Sequence, residues 1–194
     1  MSRKLLIILS CLWCAVLFTG PRLSAQAKAH NDEAIDYKQP GAPMPALRVV
    51  MPDSSTPAAE KKNKRKGTAT GLKAITSRDL NNGANLLVMM FNPTCGHCEE
   101  QTRLLTDHIF LFKNSRLVLL AGPMMLPYLE HFNQNTQVSG FPETILMGVD
   151  SAGFIDRTFL YETLPQINIY DHDRKLIKSF TGVTPIDTLK QYIE

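Results

Sequence analysis

The spacing of apolar positions divides the chain into buried runs and amphipathic stretches. Leu86-Leu87-Val88-Met89-Met90-Phe91 is a continuous apolar run bounded by turn residues, which predicts a central strand buried on both faces. Asn92-Pro93-Thr94 stops it. Across residues 96–112 the period turns helical, with Leu105, Ile109 and Phe112 on one stripe and Leu104 and Leu111 beside it. Asn114 is the expected stop. Residues 116–121 (RLVLLA) predict a second buried strand, 126–135 a short helix, 144–149 (TILMGV) a third strand and 154–161 another short helix. Ile167 and Ile169 then alternate with Asn168 and Tyr170 in a strand ending at Asp171. His172-Asp173 turns that strand into residues 176–180, so the two form a hairpin. Thr184-Pro185-Ile186-Asp187 offers an N-cap, a proline at the first helical position and an acid at the third. The last helix would carry Ile186, Leu189 and Ile193 inward. With a short strand at 47–51, the order predicts an α/β protein, a central mixed sheet with helices on both faces.

The beginning of the chain has a different character. Ser2-Arg3-Lys4 is a short basic region, and residues 5–18 (LLIILSCLWCAVLF) carry no charge. Gly20-Pro21 then breaks any helix ahead of the small residues Ser24, Ala25 and Ala27. This is the tripartite layout of a secretory signal peptide over residues 1–27, with cleavage after Ala25 or Ala27. An uncleaved anchor to the outer face of the inner membrane is the alternative, though the run is shorter than the roughly 20 residues of a spanning helix. A lipoprotein signal at Leu9-Ser10-Cys11 has few apolar residues ahead of its cysteine. Residues 28–40 are polar and aperiodic and predict a flexible tether. A domain at 41–194 follows, opening on the extended Pro40-Gly41-Ala42-Pro43-Met44-Pro45. Within it, residues 52–71 form a basic surface loop or hairpin tip around Lys61-Lys62-Asn63-Lys64-Arg65-Lys66.

Composition sharpens this outline. With 194 residues, 44% hydrophobic and 20% charged, the chain can bury a core of its own and is not a disordered polymer. Its formal charge of +3 loses meaning once Arg3, Lys4 and Arg22 leave with the leader, because 18 basic residues then face 18 acidic ones. Nothing in the global charge therefore argues for a nucleic-acid partner. Of the four cysteines, Cys11 and Cys14 lie in the leader, so the exported chain keeps Cys95 and Cys98. Two cysteines three positions apart close too small a loop to act as a structural framework.

That leaves chemistry. Cys95-Gly96-His97-Cys98 lies where a buried strand gives way to a helix. A helix start presents unpaired N–H groups and a positive dipole end, and both stabilise a thiolate. Cys95, at the very start, is expected to be the exposed nucleophile of lowered pKa. Cys98, one turn in, is expected to be the shielded thiol that resolves the mixed disulfide. Gly96 and His97 would tune the pair, a partly protonated imidazole favouring the thiolate and making the pair more oxidising. The expected potential falls between about −270 and about −180 mV. Zinc would need two further ligands, and His30, His108, His131 and His172 are scattered. A copper-binding chaperone is the alternative from another class, drawing on Cys95, His97, Cys98 and the pairs Met89-Met90 and Met124-Met125. G-x-S-x-G and phosphate-loop patterns do not occur.

Strand, CGHC, helix and a later Leu164-Pro165 ahead of the hairpin resemble the thioredoxin-like superfamily. With the leader and the extra elements between Met124 and Tyr161, the chain looks most like exported thiol-disulfide oxidoreductases of the TlpA/ResA type. The resemblance implies a thioredoxin-like fold with an insertion before the strand that follows a cis-proline. It also implies that Cys95 attacks, Cys98 resolves and Pro165 is that cis-proline facing the disulfide, with Thr94 and Leu164 helping to dock substrate. The redox-active Cys95–Cys98 pair would need no cofactor and no metal. Protein thiols and disulfides would be the substrates, with a membrane or periplasmic redox partner resetting the pair. Three positions depart from the family. Thr94 replaces the usual Trp, Met89 stands where thioredoxins bury an Asp, and Gln101 replaces the Glu of the cytochrome c maturation branch. Glu99 and Glu100 favour the helix dipole but oppose a thiolate; solvation is their expected role, proton handling the alternative.

Overall fold

The run at 86–91 is apolar throughout because all six of its residues are buried, three against each face of a central sheet. A computed structural model describes residues 35–52 and 72–193. The leader, residues 28–34 of the tether and residues 53–71 of the basic loop lie outside the described residues. The strands are β1 (Arg48–Pro52), β2 (Leu72–Thr76), β3 (Leu86–Phe91), β4 (Arg116–Ala121), β5 (Ile145–Asp150), β6 (Gln166–Tyr170) and β7 (Leu176–Thr181). The helices are α1 (Gly96–Asp107), α2 (Leu129–Thr136), α3 (Phe154–Thr158) and α4 (Ile186–Leu189). The sheet order is β2-β1-β5-β4-β3-β6-β7. Strands β3, β4 and β5 run parallel, and antiparallel pairs flank them on both sides.

Alternation along the strands sorts the core into two layers. Leu87, Met89 and Phe91 share one face with Leu117, Leu119, Ile167 and Ile169, and α1, α2 and α4 cover it through Leu105, Phe132 and Leu189. Leu86 and Val88 share the other face with Val118, Leu120 and Tyr170, covered by Phe154 of α3 and by Leu47 and Leu80. Helices on both faces of a mixed sheet are thus what the chain builds. The segment between β4 and β6 contributes α2, β5 and α3, and β5 enters the sheet between β4 and β1.

That placement constrains β5. A Cβ at Gly148 would lie 2.6 Å from Val49 Cγ1 and 2.6 Å from the Val50 carbonyl oxygen. Gly148→Ala must push β1 away from β5 and is expected to destabilise the fold by about 1–3 kcal/mol, read as a lower urea midpoint.

Four boundaries differ from the sequence reading. The helix expected over 96–112 ends at Asp107, and a 3-10 turn, Ile109–Leu111, continues the stripe. The His108 ring Nδ1 lies 2.9 Å from the Leu104 carbonyl oxygen and occupies one of the end carbonyls. The helix expected over 154–161 stops at Thr158, because Phe159 turns extended and the Leu160 N–H donates to the Gln166 side chain instead. Thr184 does not cap α4. Pro185 holds the cap position without a side-chain bond, since the Thr184 backbone is committed to Gln101 and its hydroxyl donates to the Gly182 carbonyl at 3.3 Å. Finally, β2 pairs with β1 although no periodicity announced it: Leu72, Lys73 and Ala74 are exposed at the edge of the sheet.

Candidate active site

The CGHC segment sits at the C-terminal edge of β3, where Asn92-Pro93-Thr94 converts strand into helix. Asn92 organises the turn. Its Oδ1 accepts hydrogen bonds from the Thr94 N–H and the Thr94 hydroxyl, each at 3.0 Å, and its carbonyl accepts the Cys95 N–H at 3.0 Å. Cys95 is the N-cap residue of α1, in extended conformation, and its carbonyl accepts the N–H groups of Cys98 and Glu99. Both cysteines are free thiols; Cys95 is half-buried and Cys98 fully buried in the layer beneath α1. Cys95 is thus the more accessible of the two thiols.

Burial pushes the Cys98 thiol up to about 12. A backbone hydrogen bond from Asn92 opposes that shift, and the hydrogen-bonding contact with Cys95 adds to it. Cys98 is therefore a neutral thiol at pH 7 in the reduced protein. The sign of the pH dependence follows. Above about 9 an unfolded chain releases the Cys98 proton while the folded chain keeps it, so unfolding is favoured progressively. The stability linked to Cys98 is complete below about pH 9 and is lost as pH rises toward 12. Urea unfolding of the reduced protein at about pH 7 and about pH 10 is expected to show this loss, and Cys98→Ala to show a smaller one.

Pro165 comes to the same edge from the other side. The Leu164–Pro165 peptide is cis, as the resemblance implied. The antiparallel register pairs Met90 with Gln166, so Pro165 falls opposite the end of β3, four residues before Cys95. Pro165 is buried, and its carbonyl accepts the Gly182 N–H at 2.8 Å. Leu164 is half-buried and packs on the same core layer as Cys95. Thr94, Gly96 and His97 are all exposed. A Cβ at Gly96 would meet nothing within 4 Å, so packing does not demand glycine there.

The three departures find physical explanations. Met89 is fully buried in the layer that holds Cys98, among apolar side chains. Gln101 is fully buried and clamps one residue by both amide atoms: its Nε2 donates to the Thr184 carbonyl at 3.2 Å, and its Oε1 accepts the Thr184 N–H at 2.5 Å. Thr94 makes the Asn92 turn and leaves its side chain at the surface. Glu99 is not simply solvated. It pairs with Arg103 at 3.2 Å and accepts a hydrogen bond from Asn135 Nδ2 at 3.0 Å, tying α1 to α2. Glu100 is exposed.

Of the soft atoms that suggested copper, Met89 and Met90 are buried in β3 on opposite faces, while Met124 is exposed. Among the described residues no group of three or more His, Cys, Asp or Glu side chains is gathered to hold a metal ion. Among them, too, no helix is long and apolar enough to cross a membrane.

Other residues at this edge escaped the sequence reading. Gln166 follows Pro165 directly, and its buried amide bonds three neighbours. Tyr161 stands 71% exposed with a positive φ of 58°. Asp150 accepts the N–H groups of Ala152 and Ile155 at the start of α3. A polar residue directly after the proline, inside an apolar strand, was the available signal for Gln166.

No family model and no curated protein matches the sequence. Solved structures do match. A candidate thiol:disulfide interchange protein DsbE from Chlorobium tepidum superimposes with a TM-score of 0.57 at 14% identity, over 79% of this chain and 94% of its own. The thioredoxin domain of a thiol-disulfide oxidoreductase from Bacteroides vulgatus gives 0.55 at 13%, over 80% and 99%. A thiol:disulfide interchange protein from a Bacteroides species gives 0.54 at 12%, over 80% and 90%. Sheet order, the CGHC turn at the end of β3, the cis-proline ahead of β6 and these superpositions agree: the chain has the thioredoxin-like fold.

Proposed function

We propose that this chain is an exported thiol-disulfide oxidoreductase of the TlpA/ResA type that reduces protein disulfides through Cys95 and Cys98. One observation carries the reading. A half-exposed thiol stands at the N-cap of α1 and a second thiol is buried one turn inside, with Pro165 at the edge of the sheet where β3 ends. The Cys95 thiolate attacks one sulfur of a substrate disulfide, forming a mixed disulfide and releasing the other sulfur as a thiolate that takes up a proton. Cys98 then loses its proton and attacks Cys95. That step forms the Cys95–Cys98 disulfide and frees the second substrate thiol. The substrate gains two electrons and two protons, and the cysteine pair loses them.

The electrons reside in the cysteines, so the reaction needs no cofactor, and a membrane or periplasmic dithiol partner returns the pair to its reduced state. Export rests on the signal-like residues 1–27. The reductive direction rests on the sequence resemblance, and the names carried by the structural neighbours agree with the chemistry in kind. Insulin reduction by dithiothreitol with and without the full-length protein tests the proposal. Acceleration that disappears in Cys95→Ser is expected; an unaccelerated reaction overturns it.

A further inference from the structure

The proton on Cys98 has to leave before its sulfur can attack Cys95, because only a thiolate opens a disulfide. A base within the fold that took it would be a carboxylate or an imidazole in reach of the sulfur. Among the described residues no histidine is buried and one carboxylate is, Asp150. That carboxylate serves the other face of the sheet. Its two oxygens accept the Ala152 and Ile155 N–H groups at the start of α3, each at 2.9 Å.

The elements around Cys98 keep their titratable groups away from it. On α1, Glu99 is taken by Arg103 and Asn135, while His97, Glu100 and Asp107 are exposed. His108, past the far end of that helix, lies against the Leu104 carbonyl. On α2, Glu130 and His131 are exposed; on β7, so is Lys178. On α4, Asp187 is exposed and paired with Lys190. The buried polar side chains next along α1 are committed too. Gln101 meets both backbone groups of Thr184, and the Thr102 hydroxyl donates to the Cys98 carbonyl at 2.8 Å. The polar groups that act on the Cys98 sulfur are the Asn92 backbone and Cys95. Neither can receive the proton, since a backbone amide is no base and Cys95 is uncharged once it is joined to substrate.

We propose that the fold supplies no base for Cys98, so that hydroxide from solvent takes its proton and the surrounding pH sets how long each mixed disulfide lasts. The inference rests on the oxidoreductase reading above and adds what controls its second step. Hydroxide carries the Cys98 proton away as water. The Cys98 thiolate attacks Cys95, the Cys95–Cys98 bond forms and the bond from Cys95 to substrate breaks. The substrate sulfur leaves with the electron pair and takes up a proton from water. An internal carboxylate would instead hold this step at one rate above its own pKa. Without one, acidification prolongs the covalent complex and alkalinity frees the substrate.

The test uses the full-length protein with Cys11→Ser and Cys14→Ser, which leaves Cys95 and Cys98 as its thiols. The reduced protein is mixed with excess 5,5′-dithiobis(2-nitrobenzoate), and release of the coloured thiolate is followed by stopped flow. The first equivalent reports attack by Cys95 and quickens with reagent concentration. The second reports resolution by Cys98 and is independent of it. Its rate constant is expected to rise about tenfold per pH unit, without a plateau, from about pH 6 to about pH 9. A plateau in that range, or a rise of less than about threefold per unit, overturns the proposal and leaves the oxidoreductase reading standing. Release of no second equivalent at any pH overturns the oxidoreductase reading itself, and this inference with it.

Discussion

Cys98→Ser accumulates mixed disulfides with protein substrates, whereas Cys95→Ser forms none. The expectation follows from the two environments. Cys95 is at the N-cap of α1 and half-exposed, so an incoming disulfide can reach its sulfur. Cys98 has no exposed surface, and burial pushes its thiol up to about 12, so it neither meets substrate nor ionises at pH 7. On the proposed reading, attack on an incoming disulfide belongs to Cys95, and Cys98 acts only on the bond that Cys95 has made. Replacing Cys98 by serine leaves the first step intact and removes the second, so the covalent complex persists until an external thiol cleaves it. Non-reducing gels of the two variants, incubated with oxidised insulin, read this directly. Trapping by Cys95→Ser, or by both variants equally, contradicts the assignment. The effect is all-or-none, since turnover requires both sulfurs.

The second large effect is structural and falls on Gln101. Its amide meets both backbone groups of Thr184, 83 residues away, and both residues are buried. Gln101→Met preserves the length of the side chain but leaves a buried N–H and a buried carbonyl without partners. Each such group costs about 1–3 kcal/mol, so a loss of about 2–4 kcal/mol is expected, measured by urea denaturation of the reduced protein. A loss below about 0.5 kcal/mol would mean that the clamp contributes nothing beyond an ordinary surface site. The consequence reaches the site. Gln101 lies one turn after Cys98, and the chain it holds, residues 182–184, also donates to the Pro165 carbonyl. Loosening it frees the connection between the thiol helix and the cis-proline.

Much of this was legible beforehand, for reasons specific to each element. β3 and β4 are central and parallel, buried on both faces, so they must be apolar along their whole length and show as unbroken runs. The CGHC turn announces itself because two cysteines three apart at a strand-to-helix junction serve few purposes other than thiol chemistry. β2 was illegible because an exposed edge strand needs no apolar face. The polar positions of β6 carry no mark of their depth: Gln166, Asn168 and Tyr170 are all buried, with Gln166 Nε2 donating to Asn168 Oδ1. Glu99 read as a solvated charge because its partner Asn135 is 36 residues away.

The sequence by itself therefore determined what depends on neighbours along the chain: the order of the strands and helices other than β2, the position of the thiol pair at a helix start, and the hairpin after Pro165. Periodicity and helix-end chemistry act over a few residues and leave their mark locally. Only the tertiary structure decided the roles of the buried amides. Gln101 could have been a solvent-facing residue and Gln166 an ordinary strand position, and each instead bonds backbone groups that the fold leaves without a regular partner. A buried polar side chain is tolerated only where those partners await it, and where they await it is set by how α1, α3 and the chain after β7 pack, not by the residues on either side.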